Sequence, residues 1–526
     1  MVSARIPAAV LAALLLAAAA PVRAAEPEIR AAVAAKSYMV VSADPRASKA
    51  AAAILREGGS AVDAAVAVQM MLTLVEPQSS GIGGGAFLLG YDRAAGELYG
   101  FDGRETAPAA TRPDLFLDAA GQPLTFKDAV VGGRSVGVPG ALRLWQAAHR
   151  KAGKLPWPRL LQPAIELADK GFEVSPHLAA AIAADRERLA RDPVARAYFF
   201  DANGAPRAAG FVLKNPALAE TLRKIAANPD DFYTGTIAKD IAAKVVGFAA
   251  NPGTLTEADL KVYAPVAREP VCTPYRSTLV CGLPPPAGGS SVGEIMGLLT
   301  HFELEHVKPL SVDAVHLFAE VGKLAYADRD AYIADPELTP VPAAGLADPV
   351  YLLVRAQLVD RDHALPVPVR PGNPPWRDAR DFAPGRAPEF PSTSHFVVVD
   401  KAGNIVSATA SIEDAFGSRL MVDGFLLNNE LTDFAFRPEL NGRPVANRAE
   451  PGKRPRSAMS PTIVLDDTNK PMLALGSPGG PRIIEYVAET LVGVLDWGLD
   501  IQTAINLPHM ANRNGATELE QGTALA

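Results

Sequence analysis

A threonine sits where a chain break would make it reactive. Thr393, within Pro391-Ser392-Thr393-Ser394-His395, lies between two unlike stretches. Upstream, residues 366–391 are rich in Pro and Arg and carry neither helical nor strand periodicity. Downstream, Phe396-Val397-Val398-Val399-Asp400 reads as a buried strand, Lys401-Ala402-Gly403-Asn404 as a turn, and Ile405 to Ile412 as a second strand. A cut between Ser392 and Thr393 would make Thr393 a new N-terminus. Such a residue carries its own general base, because an α-amine titrates at roughly 7.7–8.0 and can take the proton of its own hydroxyl. From these few residues alone, the plainer reading wins: a hydroxyl residue that opens an ordinary strand.

Other segments change that balance. Asn428-Asn429-Glu430-Leu431-Thr432-Asp433-Phe434 follows the apolar Phe425-Leu426-Leu427. Then come Lys453-Arg454-Pro455-Arg456-Ser457-Ala458-Met459-Ser460-Pro461 and Gly476-Ser477-Pro478-Gly479-Gly480-Pro481-Arg482. The first half adds Gly58-Gly59-Ser60-Ala61-Val62-Asp63, Gly83-Gly84-Gly85 and Asp102-Gly103-Arg104-Glu105-Thr106-Ala107-Pro108. Each motif is weak by itself. The ordered set, spanning most of the chain, resembles the γ-glutamyltransferase (glutathione hydrolase) family of N-terminal-nucleophile hydrolases.

The resemblance implies an α+β fold, a four-layer αββα sandwich in which two chains cut from one precursor interweave in a single domain. It implies self-cleavage at Ser392–Thr393 into a large subunit, 25–392, and a small subunit, 393–526, held as a heterodimer. Thr393 would be the nucleophile, and Gly479 and Gly480 the oxyanion donors at a helix start. Arg104 would grip the substrate's α-carboxylate with a bidentate fork, assisted by Ser457. Glu430, Asp433 and Glu413, the last expected on the strand after the turn, would accept the α-ammonium. Ser411 stands near the nucleophile, where the family more often has Thr. Substrates would be glutathione and other γ-glutamyl compounds, with amino acids or peptides as acceptors and no cofactor. Without the resemblance, Arg104 reads as a surface charge, the glycines as an ordinary helix start, and the carboxylates as solvated loop charges.

Two departures from the family pattern stand out. Ala458 replaces a usual second Ser, removing one carboxylate hydrogen bond worth about 1.5–3 kcal/mol at most, so weaker binding is expected and not inactivity. The small subunit also looks truncated, because family members usually continue with further sheet strands; exposed edges would then lower stability. Residues 436–456 resemble the family's lid over the glutamyl pocket.

Composition allows a large buried core and excludes a disordered chain. The chain has 526 residues, 48% of them hydrophobic, with a net charge of −7. No basic stripe points to nucleic acid. Arg5, the apolar run Ile6 to Ala20 and Pro21-Val22-Arg23-Ala24-Ala25 read as a cleaved leader, residues 1–24. The mature protein is then expected in a periplasm or outside the cell, with no stable membrane span. Cys272 and Cys281, the two cysteines, bracket a hairpin turning at Pro274 to Ser277. Symmetric pairing would set them opposite each other, as a disulfide in an oxidising compartment or as two free thiols.

Rival motifs are weaker. Gly81-Ile82-Gly83-Gly84-Gly85-Ala86 fits a dinucleotide pattern but precedes a strand, which is the wrong order. Gly289-Ser290-Ser291-Val292-Gly293 fits a serine nucleophile elbow, but Pro284-Pro285-Pro286 breaks the required strand-to-helix turn. The eight histidines show no ligand spacing, and no metal is expected. A cephalosporin or glutaryl acylase of the same fold, and a non-maturing exported binding protein, remain as alternatives.

Overall fold

The computed structural model describes residues 31–376, 381–388 and 390–525. The expected leader, 1–24, lies outside these, as do residues 377–380 and 389 of the Pro- and Arg-rich stretch. Two antiparallel sheets stack face to face. The first runs in the order Met39–Val41 (β1), Ser394–Val399 (β7), Ile405–Ser411 (β8), Gly85–Asp92 (β2), Glu97–Gly103 (β3) and Val266–Arg268 (β4). The second runs Pro471–Leu475 (β10), Thr462–Leu465 (β9), Thr278–Gly282 (β6) and Val271–Tyr275 (β5). Each sheet takes strands from both sides of the Ser392–Thr393 bond, so the two halves of the chain are interleaved.

Strand β8 shows how residue type selects the layer. All of its residues are buried, because one face meets helices and the other meets the second sheet. Val406, Ala408 and Ala410 join the core under the helix Ala61–Val75 (α2), together with Phe396 and Val398 of β7. Ser407, Thr409 and Ser411 alternate onto the other face, where the Ser407 hydroxyl donates to the Leu475 carbonyl of β10. That polar stripe leads to Thr393.

Helix α2 is apolar all round and buried throughout, as an inner helix should be. Its start is fixed by a capping box between Ser60 and Asp63. It packs with Pro45–Arg56 (α1) and Ala141–Ala152 (α3) on the outer face of the first sheet. Gly289–Leu299 (α4), Val312–Tyr332 (α5) and Ile483–Leu495 (α6) cover the second sheet. The result is the four-layer αββα sandwich. Cys272 and Cys281 face each other across β5 and β6 and are joined by a disulfide.

The stretch before Thr393 differs from the solvated linker that its composition suggests. Ala383 and Gly385 are buried. The Ala383 N–H donates to the Pro444 carbonyl at 2.9 Å, and the Gly385 N–H to that of Asp330 on α5, also at 2.9 Å. Arg386 pairs with Asp330 at 3.3 Å and donates to the Asn514 carbonyl. A segment without regular structure must find partners for its backbone, and here α5 and the 435–448 loop supply them. The Gly83–Gly85 run leads into β2 and not a helix. Ser291 lies inside α4 while β6 ends at Gly282, so no nucleophile elbow forms there.

Candidate active site

Thr393 stands immediately before β7 with φ of +103°. For a β-branched residue this is a strained conformation, costing about 1–3 kcal/mol. Its Oγ1 donates to Ser411 Oγ at 3.2 Å, and Ser411 Oγ also accepts the Glu413 N–H at 2.8 Å. The preceding carbonyl, of Ser392, accepts the Gly479 N–H at 3.3 Å. The Ser392 hydroxyl donates to the Gln78 carbonyl, and Ser80 donates to Ser394. Contacts thus fix both sides of the Ser392–Thr393 peptide.

Gly479 and Gly480 form the short turn into α6 with φ of +138° and +58°. At Gly480, a Cβ would fall 2.2 Å from the Phe390 carbonyl oxygen. Only glycine combines that backbone conformation with that approach.

Thr393, Gly480, Arg104, Ser411, Glu413, Glu430, Asp433, Ser457 and Ala458 line one small cavity, closed on one side by Phe390. Its volume is about 20 Å³, the room of about one water molecule. Gly479 adjoins it through the Ser392 carbonyl. The structure therefore gathers residues from distant parts of the sequence around the threonine hydroxyl.

The charges are arranged differently from the expected open fork. Arg104 is fully buried, and its Nη1 and Nη2 donate to Glu430 and Asp433. Nη2 also reaches the Arg456 carbonyl at 2.8 Å, and Nε that of Pro455 at 3.1 Å. Buried carboxylates require a counter-charge, and Arg104 provides it for both. Burial works against its charge, but Glu430, Asp433 and Glu105 outweigh that and raise its pKa. Glu430 and Asp433 share a single 3-10 turn, Glu430–Asp433. Burial pushes Glu430 up, against the pull of Arg104.

Glu413 lies beyond the end of β8, not on the strand as its sequence position suggested. It sits at φ +78°, where Asn429 and Thr432 hold its Oε2. Burial, then Asp433, Asp414 and Glu430, raise its pKa well above the ordinary range. The Ser457 hydroxyl accepts the Met459 N–H at 3.1 Å. His395 hydrogen-bonds Thr409 Oγ1 at 2.9 Å, and burial lowers its pKa to about 3, leaving it neutral.

Sequence reasoning passed over Glu105. It is fully buried, with Oε2 4.0 Å from Arg104 Nη1, and burial followed by Glu430 raises its pKa well above the ordinary range. Its place beside Arg104 within the Asp102–Pro108 motif was the available signal.

Two facing antiparallel sheets between helical layers, with a hydroxyl heading a central strand, define the class of N-terminal-nucleophile hydrolases. The Gamma-glutamyltranspeptidase family description matches residues 47–525. The glutathione hydrolase proenzyme of Bacillus subtilis (strain 168) is 39% identical over 485 residues, 90% of this chain and 80% of that protein. The Acylase ACY 1 proenzyme of Pseudomonas sp. (strain SE83) is 35% identical over 494 residues, 92% of this chain and 84% of that protein. The crystal structure of cephalosporin acylase from Bacillus halodurans is similar at TM-score 0.81 and 30% identity, covering 93% of this chain and 86% of that one. The chain belongs to the γ-glutamyltranspeptidase family, which includes acylase relatives. Among the described residues, no helix is long and apolar enough to cross a membrane.

Proposed function

We propose that this chain is an exported proenzyme that cleaves itself at Ser392–Thr393 and then hydrolyses or transfers γ-glutamyl groups. One observation carries the reading: Thr393, preceded by the Gly479-held carbonyl of Ser392, lines a cavity together with Arg104 and three carboxyl side chains. In maturation, Thr393 Oγ attacks the Ser392 carbonyl carbon while Gly479 and Gly480 face the developing oxyanion. The C–N bond breaks, the amine of Thr393 is released, and water hydrolyses the resulting ester. Subunits 25–392 and 393–526 then stay together as a heterodimer, because each sheet contains strands of both.

In turnover, the free α-amine takes the hydroxyl proton, and Thr393 Oγ attacks the γ-amide carbon of the substrate. The leaving amine departs with that proton. Water then resolves the acyl-enzyme to glutamate, or the amine of an amino acid or peptide resolves it to a new γ-glutamyl compound. Arg104 and Ser457 serve the α-carboxylate, while Glu413, Glu430 and Asp433 serve the α-ammonium. A cavity of about 20 Å³ is too small for a glutamyl group. Phe390, just upstream of the cut, forms one wall, and cleavage frees residues 390–392 to move aside. The disulfide supports an oxidising destination, a periplasm or the outside.

A glutaryl-type acylase is the second reading, favoured by the acylase relatives and by Ala458. The pocket's charge argues against it. A glutaryl group brings a carboxylate and no ammonium to a site with one guanidinium and three carboxyls, whereas a glutamyl group brings its own cation. The test compares glutamate release from glutathione with glutarate release from a glutaryl-β-lactam, using wild type and T393A. Glutathione should be turned over by wild type alone. Preference for the glutaryl substrate selects the second reading.

A further inference from the structure

Glu105 is the one carboxyl of this cluster that substrate binding leaves without a task. Gly85 and Gly137 close over it: a Cβ at Gly85 would fall 2.3 Å from Glu105 Oε2, and one at Gly137 2.8 Å from its Cβ. Among the described residues, no donor from any other residue reaches either carboxyl oxygen. Arg104 turns its Nη1 onto Glu430 and leaves Glu105 at 4.0 Å. The same Arg104 nitrogen thus lies against both carboxyls, and Glu430 Oε2, like Glu105, has no N–H or O–H partner from another residue.

Two ionised carboxylates close together in a buried site are costly, and a shared proton relieves the repulsion. Geometry decides which carboxyl holds it, since Arg104 stabilises the charge on Glu430. We propose that Glu105 is a positioning residue that stays protonated and donates its O–H to Glu430. That bond holds Glu430 ionised and oriented toward both Arg104 and the substrate's α-ammonium. The role assigned to Glu430 rests on the glutamyl reading of the pocket.

The charged and titratable groups facing Glu105 agree. Arg104 and the residue's own backbone N–H favour its ionisation, while Glu430 and Asp433 on the neighbouring turn oppose it. Tyr233 and Tyr263, behind Arg104, are kept neutral by burial. Burial is the largest influence on Glu105 itself and acts in the same direction.

Infrared difference spectroscopy tests the proton without requiring turnover. The uncut T393A chain compared with T393A/E105Q should lose one C=O band of a protonated carboxylic acid. Loss of carboxylate bands alone overturns the proposal, whatever the substrate. In the cleaved enzyme, E105A should raise KM for glutathione about tenfold with kcat changed less than about threefold. E105Q keeps an N–H donor toward Glu430 and should recover most of that loss. An E105Q enzyme as impaired as E105A overturns the positioning role, because the charge and not the donor would then matter. A wild type that matures but ignores γ-glutamyl substrates refutes the glutamyl reading separately, and the infrared result still decides where the proton sits.

Discussion

Gly479 donates its N–H to the carbonyl oxygen of Ser392 at 3.3 Å, across the bond that precedes Thr393. The donor that would steady an oxyanion during substrate turnover thus already rests on the carbonyl that self-cleavage must attack. Thr393 contributes backbone strain at the same peptide, with φ of +103°. A preorganised donor and a strained ground state act in the same direction on one carbonyl.

Replacement G480A should slow maturation. The added methyl would meet the Phe390 carbonyl oxygen at 2.2 Å on a backbone at φ +58°, which disfavours side chains. Relief requires either Phe390 or the Gly479–Gly480 turn to shift, moving donor and carbonyl apart. We expect cleavage at least about tenfold slower in a gel time course, a loss of roughly 1.4 kcal/mol of transition-state stabilisation.

Replacement R104A should destabilise the fold as well as abolish substrate binding. Removing the guanidinium leaves Glu430 and Asp433 buried without their partner, which costs about 3–5 kcal/mol. R104K keeps the charge but cannot reach both carboxylates with one fork, so its stability should fall between wild type and R104A. Denaturant unfolding of the T393A chain carrying each change measures this directly.

At position 458, the predicted change is a gain. A458S places a hydroxyl on the wall of the pocket beside Ser457. One hydrogen bond to a charged carboxylate is worth about 1.5–3 kcal/mol, so KM for glutathione should fall by roughly tenfold. An unchanged KM would show that the carboxylate does not lie against this wall.

Stability should decline with rising pH through Glu485, on α6 just after the glycine turn. Its Oε1 accepts the Asn512 N–H at 2.7 Å, and burial pushes its pKa from the ordinary 4.5 to about 8. The folded chain therefore holds a proton that the unfolded chain releases. The contribution is intact below about pH 4.5 and is lost as pH rises through about 8. E485Q retains an acceptor oxygen for Asn512 and has no proton to lose. Its Tm should gain on that of wild type between about pH 5 and about pH 9.

Local chemistry made much of the fold legible, whereas Thr393 as a candidate nucleophile came from the resemblance and not from its neighbours alone. The turn at Lys401–Asn404 and the apolar strand after His395 marked the β7–β8 pair, and the capped apolar run from Ser60 marked α2. Long-range charge pairing was not legible. Arg104 meets Glu430 and Asp433 only after more than three hundred residues of intervening chain have folded, so its engaged fork could not be read from spacing. Glu413 leaves β8 at a positive φ, and its carboxyl is held by Asn429 and Thr432, which lie outside its own motif. The stretch before Thr393 looked solvated because its docking partners, Pro444 and Asp330, belong to other segments. Glu105 was signalled only by its place beside Arg104, since the chemistry of a carboxyl depends on whether donors surround it.

Sequencing the N-terminus of every band on a denaturing gel of the purified chain decides whether it cleaves itself. Self-cleavage gives two fragments of about 39 and 14 kDa, scaled by chain length from 55.2 kDa, with the smaller beginning Thr393-Ser394-His395. T393A should give one uncut band. A wild-type chain that stays intact, or a small fragment beginning at any other residue, would contradict it.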